Sequence, residues 1–208
     1  MALLAALIIA VLVVTLLVLL RKFSRPLVYD VLITHLTTKW YEEVFKRIPP
    51  GSRVLDVGVG TGKALINNAA LIREKKFTIV AIDYDGDYLE QCKVNLKKCH
   101  LEDFVEAHHI SLFDYNPPKG VTFDYVYFSA SLMIMPSPLE ALLYVTKFLT
   151  PSKGRIVCTQ TQEMEKSVFV EMTKPILKAA TTIDFGAVTY RQDFVQTVSS
   201  AGLDIEEE

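Results

Sequence analysis

Between residues 53 and 159 the chain repeats one pattern. A short run of consecutive apolar residues is followed by a turn and then by a longer stretch with apolar positions three and four apart. The short runs Val54–Val57, Phe77–Ile82, Phe104–Ile110, Phe123–Phe128 and Arg155–Thr159 read as strands buried on both faces. The longer stretches Ala64–Glu74, Asp87–Cys99 and Pro138–Leu149 read as the helices between them. This alternation predicts an α/β fold, a doubly wound and mostly parallel sheet with helices on both faces. Tyr190–Ala201 adds a helix stopped by Gly202, and Leu203–Glu206 is a candidate for one more strand.

Upstream the pattern changes. Leu27–Ile48 carries Val28, Leu32, Leu36, Trp40, Val44 and Phe45 at helical spacing and stops at Pro49-Pro50-Gly51. Met1–Leu20 has no charge and no proline, and as a helix it measures roughly 30 Å, enough to cross a hydrocarbon core. No basic residue precedes the apolar run, and Leu16–Leu20 lead straight into Arg21, Lys22 and Arg25. That order favours an uncleaved anchor over a signal peptide and places the remaining chain in the cytoplasm, at the endoplasmic reticulum or another endomembrane. The expected division is an anchor at 1–20, a basic flank and connecting helices at 21–50, and the main domain at 51–208.

Composition narrows the chemistry. With 22 basic and 24 acidic side chains the net charge is −2, so no broad basic surface suggests a nucleic-acid partner. The three cysteines, Cys92, Cys99 and Cys158, form no CxxC pair and indicate neither a disulfide framework nor a zinc site. His108 and His109 fall within the third strand and have no evident metal partners.

The stretch VLDVGVGTG, residues 54–62, closes the first strand and opens a helix. Gly58, Gly60 and Gly62 let a ligand approach the backbone. Two phosphate-binding patterns fail on spacing, since a Walker loop needs Ser or Thr where Ala64 stands and a dinucleotide fingerprint needs glycine where Lys63 stands. Both also leave Asp56 unexplained, because a carboxylate repels a phosphate. A ligand with positive charge and no phosphate suits that acid better.

The motif resembles the first motif of the class I S-adenosylmethionine-dependent methyltransferases, which have a Rossmann-like fold. The resemblance runs from about Tyr29 to Glu206 and implies that this loop holds the methionine part of S-adenosylmethionine, with Asp56 near its amino end. Asp83, 27 residues after Asp56 at the end of the second strand, corresponds to the acid that takes the ribose hydroxyls. Tyr84 would pack on adenine, while Asp85 reads as a helix cap. Asp114, in SLFDY, corresponds to the acid that bonds the adenine amine beside the backbone N–H of Phe113. Ser129 lies where the fourth strand ends, near the usual reaction centre. The family's sheet has a sixth and a seventh strand, and this sequence offers a candidate for the sixth but not for the seventh.

The acceptor is less legible. Methyl transfer from a sulfonium needs orientation and desolvation more than a dedicated base. Ser129-Ala130-Ser131 replaces the Asn/Asp-Pro-Pro-aromatic motif of many amine methyltransferases, and Asn116-Pro117-Pro118 reads as a turn. Tyr29, His35 and Ser131 are candidates for contact with the acceptor, although packing for Tyr29 and a surface position for His35 are the plainer readings. The resemblance extends to membrane-anchored methyltransferase-like enzymes, which implies a small or lipophilic acceptor. Two alternatives stay open: a catalytically inactive, membrane-tethered binding module, and a membrane-bound NAD(P)-dependent reductase. The reductase would need a Tyr-x-x-x-Lys helix, and the spacing occurs only at Tyr115–Lys119, across two prolines.

Overall fold

The computed structural model describes residues 34–164 and 189–207. Five strands form one parallel sheet: β1 (Arg53–Val57), β2 (Thr78–Asp83), β3 (Val105–His109), β4 (Tyr125–Ser129) and β5 (Arg155–Thr159). Their order is β3-β2-β1-β4-β5, so the winding reverses between β1 and β4. In open sheets of this kind the crevice beyond the strand ends at that reversal is where ligands bind. The glycine-rich turn leaves β1 at this place.

All five strands were expected from the apolar runs; β5 has the expected ends and the other four are displaced by at most two residues. Successive residues of a strand face opposite ways, and β1 shows the consequence. Val54 joins a core cluster with Tyr41, Phe45, Phe77, Leu89 and Tyr127, whereas Leu55 and Val57 join another with Phe123, Phe128, Leu142 and Val145. Alternation therefore turns Asp56 toward the first of these layers. There it is 1% exposed.

Helices cover both faces. The first, α1, occupies 34–47 of the described residues. It is followed by α2 (Lys63–Asn67), α3 (Ala69–Lys75), α4 (Gly86–Lys98), α5 (Pro138–Thr146) and α6 (Arg191–Ser200). The single helix expected over Ala64–Glu74 is two helices, broken at Asn68. The Asn68 amide donates to the carbonyls of Ala64 and Thr38, at 2.9 and 3.1 Å, and so pins the break to α1. Asp85 caps α4 by accepting from the backbone N–H groups of Asp87 and Tyr88, as expected. No strand forms at Leu203–Glu206. Instead Leu203 N–H closes the end of α6 on Val198 O, and Glu206 pairs with Arg155 at 2.8 Å.

The inward face of α1 also differs from expectation. Leu36, placed by its spacing on the apolar stripe, is 44% exposed. The buried positions are Thr34, Thr37, Tyr41, Val44, Phe45 and Ile48. The first three are polar because this end of the helix overlies the glycine turn. Among the described residues no helix is long and apolar enough to cross a membrane. The anchor expected at 1–20 and Tyr29 lie outside the described residues.

Candidate functional site

The turn after β1 is fixed from three sides. Gly58 and Val59 both donate to Ile82 O at the end of β2, at 2.8 and 3.2 Å. Gly60 N–H donates to Asp83 Oδ2 at 2.7 Å, and Asp83 Oδ1 accepts from Asp85 N–H at 2.8 Å. From below, the Asn95 amide of α4 donates to Thr61 O at 2.9 Å. Two of the glycines are required by space as well as by conformation. At Gly58, with φ 78°, a Cβ would lie 2.5 Å from Ser131 Cβ, and at Gly62, with φ 66°, it would lie 2.5 Å from Cys92 Sγ. Neither φ suits a residue with a side chain.

Asp56 sits behind this turn. Its Oδ2 accepts a hydrogen bond from the Tyr41 hydroxyl of α1 at 2.7 Å, while Oδ1 has no hydrogen-bond partner among the described residues. Burial pushes the carboxyl up to about 7; the Tyr41 bond opposes that rise and the nearby Asp83 charge adds to it. Asp83 is likewise held above the ordinary carboxylate value by burial, and the backbone N–H groups of Asp85 and Gly60 pull it back. Two acids gathered in one dry region favour a cationic group close by. Burial, with the charges of Asp56 and Asp83, also drives Cys92 up to about 12, so its thiol is protonated at neutral pH and is no nucleophile.

A small opening lies between α1 and the turn. Thr34, Thr37, Tyr41, Gly58, Thr61, Lys63 and Ser129 are among the residues lining it. Two of these carry buried hydroxyls: Thr34 Oγ1, which has no hydrogen-bond partner among the described residues, and Ser129 Oγ, which has none in hydrogen-bond geometry although it lies beside the Tyr127 hydroxyl. Asp56, whose Oδ1 is likewise unsatisfied, is not part of that lining and lies behind Tyr41 and the turn. Buried polar atoms are rarely left so, and this donor and acceptor set fits the ammonium and carboxylate of an amino-acid-like ligand.

The remaining candidates fall into two groups. Tyr84 follows directly on Asp83 and is 61% exposed, and its carbonyl lies 3.1 Å from His109 Nε2. Asp114 ends a short 3-10 turn, Leu112–Asp114, and is exposed; the Phe113 N–H in that turn donates to Ser111 Oγ at 3.3 Å. Ser131 is buried, and its hydroxyl donates to the Val57 carbonyl, which makes it a clamp on the end of β1. His35 is exposed and takes no part in the Thr34, Thr37 and Tyr41 face. Tyr41 and Lys63 were not singled out from the sequence. For Tyr41 a signal existed in the helical spacing of Thr34, Thr37 and Tyr41, but polar residues do not register in a search for apolar stripes. His109 pairs in register with Asp83, which only the register could reveal.

Comparison with known proteins gives this arrangement its class. The fold matches that of a putative methyltransferase from Bacillus halodurans, with TM-score 0.64 and 18% identity over 82% of this chain and 70% of that one. It also matches an S-adenosylmethionine-dependent methyltransferase from Thiobacillus denitrificans bound to S-adenosyl-L-homocysteine, with TM-score 0.61 and 16% identity over 89% of this chain and 71% of that one. The class is that of the Rossmann-like S-adenosylmethionine-dependent methyltransferases, whose cofactor is S-adenosylmethionine. The chain belongs to the methyltransferase-domain family, whose profile matches residues 48–194. It is also 30% identical over 119 residues to the ribosomal RNA small subunit methyltransferase G of Chlorobaculum tepidum, which is 57% of this chain and 50% of that protein. The chain thus spans about half the length of this curated relative.

Proposed function

We propose that this chain binds S-adenosylmethionine across the turn after β1 and transfers its methyl group to a small or lipophilic acceptor. The observation that carries the reading is the pair of unsatisfied buried hydroxyls, on Thr34 and Ser129, that line one opening beside the fixed glycine turn, with the unsatisfied Asp56 Oδ1 buried behind it. When bound, the cofactor supplies an electrophilic methyl group on a sulfonium. The chain's own residues orient it and exclude water. Asp56, Gly58, Gly60 and Gly62 would hold the methionine end, Asp83 the ribose, and Tyr84, Phe113 and Asp114 the adenine side. Ser129 borders the place of transfer.

The apolar run at 1–20 and the basic cluster after it support a single-pass anchor with the catalytic domain in the cytoplasm. A bilayer would concentrate a lipophilic acceptor beside such a domain. A second reading is favoured by the similarity to a ribosomal RNA methyltransferase, which puts an RNA acceptor in question. The net charge of −2 argues against it, because RNA binding rests largely on basic surface.

Calorimetric titration of the purified chain with S-adenosylhomocysteine tests the cofactor site. Saturable binding is expected, and Asp83→Ala is expected to weaken it by at least about tenfold by removing the Gly60 tether. A folded chain that does not bind refutes the reading. Labelled S-adenosylmethionine incubated with the chain and with fractionated membranes or total RNA then separates the acceptors. Label in the lipid or small-molecule fraction supports the first reading, and label in RNA supports the second.

A further inference from the structure

Tyr41 occupies an unusual position in this site, because it belongs to the wall of the opening and to the carboxylate behind it at once. Its ring stands edge-on against Phe45, with centroids 5.4 Å apart, and against Tyr127 at 4.9 Å. These two contacts leave the ring little freedom, and its hydroxyl is aimed at Asp56 Oδ2, 2.7 Å away. The Tyr127 hydroxyl is engaged elsewhere, with Thr159 Oγ1 at 2.8 Å. Tyr41 is thus the donor that the described structure gives Asp56.

We propose that Tyr41 is a positioning residue for the cofactor: it ties α1 to β1 through Asp56 Oδ2, orients that carboxylate and favours its ionised form, with Oδ1 reserved for an ammonium group. The proposal rests on the cofactor site described above and adds a residue from outside the glycine motif. Its physical basis is that a buried carboxylate with no donor takes up a proton, and a protonated carboxyl attracts no ammonium. The groups facing Asp56 from the neighbouring elements are Asp83 of β2, Cys92 of α4 and Tyr127 of β4. None of these is a cation. Asp83 opposes ionisation of Asp56, and both the thiol and the Tyr127 hydroxyl are kept protonated by burial. The Tyr41 donor is what counters them.

The test is the pH dependence of S-adenosylhomocysteine binding to the full chain, measured by calorimetry between about pH 6 and pH 8.5, for the wild type and Tyr41→Phe. Phenylalanine keeps both ring contacts and removes only the hydroxyl. Wild-type affinity is expected to fall as pH drops through the titration of Asp56. In Tyr41→Phe the same fall should begin about one pH unit higher, giving a loss of about tenfold at pH 6 and little loss at pH 8.5. Asp56→Asn, neutral throughout, should bind weakly with a flat profile. A merely structural Tyr41 would lower affinity by one factor at every pH, and that outcome overturns the proposal, as does a wild-type profile that is flat. If the wild type does not bind at all, the cofactor site itself is refuted. Protein-detected titration of the ligand-free chain, following the Asp56 carboxyl by NMR, gives an independent readout: its midpoint must rise in Tyr41→Phe.

Discussion

Asp56 carries a cost that the ligand-free protein cannot remove. Its carboxyl moves from an ordinary value of 3.8 to about 7 on folding, chiefly through burial. Between those values the folded chain holds a proton that the unfolded chain has released. Stability from this group is therefore complete below about pH 4 and is lost as pH rises through about 7. Urea denaturation at about pH 5 and pH 8 should find the ligand-free chain less stable at the higher pH, and Asp56→Asn should reduce that difference. Part of it will remain, since Asp83 is shifted in the same direction. The sequence announced Asp56 as an odd acid beside glycines and announced its sign preference for a ligand. It did not announce Tyr41, because a hydrogen bond across 15 positions depends on how a helix is rolled.

At the scale of elements, one side chain of α3 ties down the end of α1. Lys75 Nζ, from the last turn of α3, donates to the carbonyls of Phe45, Lys46 and Ile48 at 2.8, 2.6 and 2.7 Å. A helix C-terminus leaves carbonyls without intrahelical donors, and a charged ammonium answers three of them here. Lys75→Met should destabilise the chain by about 1–3 kcal/mol, read as a lower midpoint in chemical denaturation. It should also weaken S-adenosylhomocysteine binding, because α1 roofs the opening. The strands were legible from sequence because a parallel sheet buried on both faces needs continuous apolar runs. The roll of α1 was not, because its inner face is apolar only at Val44, Phe45 and Ile48 and turns polar over the site. Nor was the break at Asn68, where an amide held by Thr38 O and Ala64 O outweighs continuous helical spacing.

Across the described domain, the proposed contacts from the loops lie beyond the ends of four adjacent strands, β3, β2, β1 and β4, on both sides of the reversal of the sheet. Ligand should therefore stabilise the domain as a unit. With S-adenosylhomocysteine at 100 times its dissociation constant, stabilisation of about 2.7 kcal/mol is expected, visible as a rise of several degrees in Tm. An unchanged Tm at saturating ligand would contradict binding to the native state. Orientation is a separate matter at this scale. Protease added outside sealed microsomes should digest a cytoplasmic domain, and full protection would place it in the lumen.

The region shared with the methyltransferase-domain family begins at residue 48, yet the cluster that packs under the sheet takes Tyr41, Val44 and Phe45 from before that point. The unit of homology and the unit of folding are therefore not the same length. A chain cut at the homology boundary would expose the partners of those side chains and leave Lys75 with one of its three carbonyls, that of Ile48. At about 1.5–3 kcal/mol for each buried apolar side chain, the loss is comparable to the entire stability of a small domain.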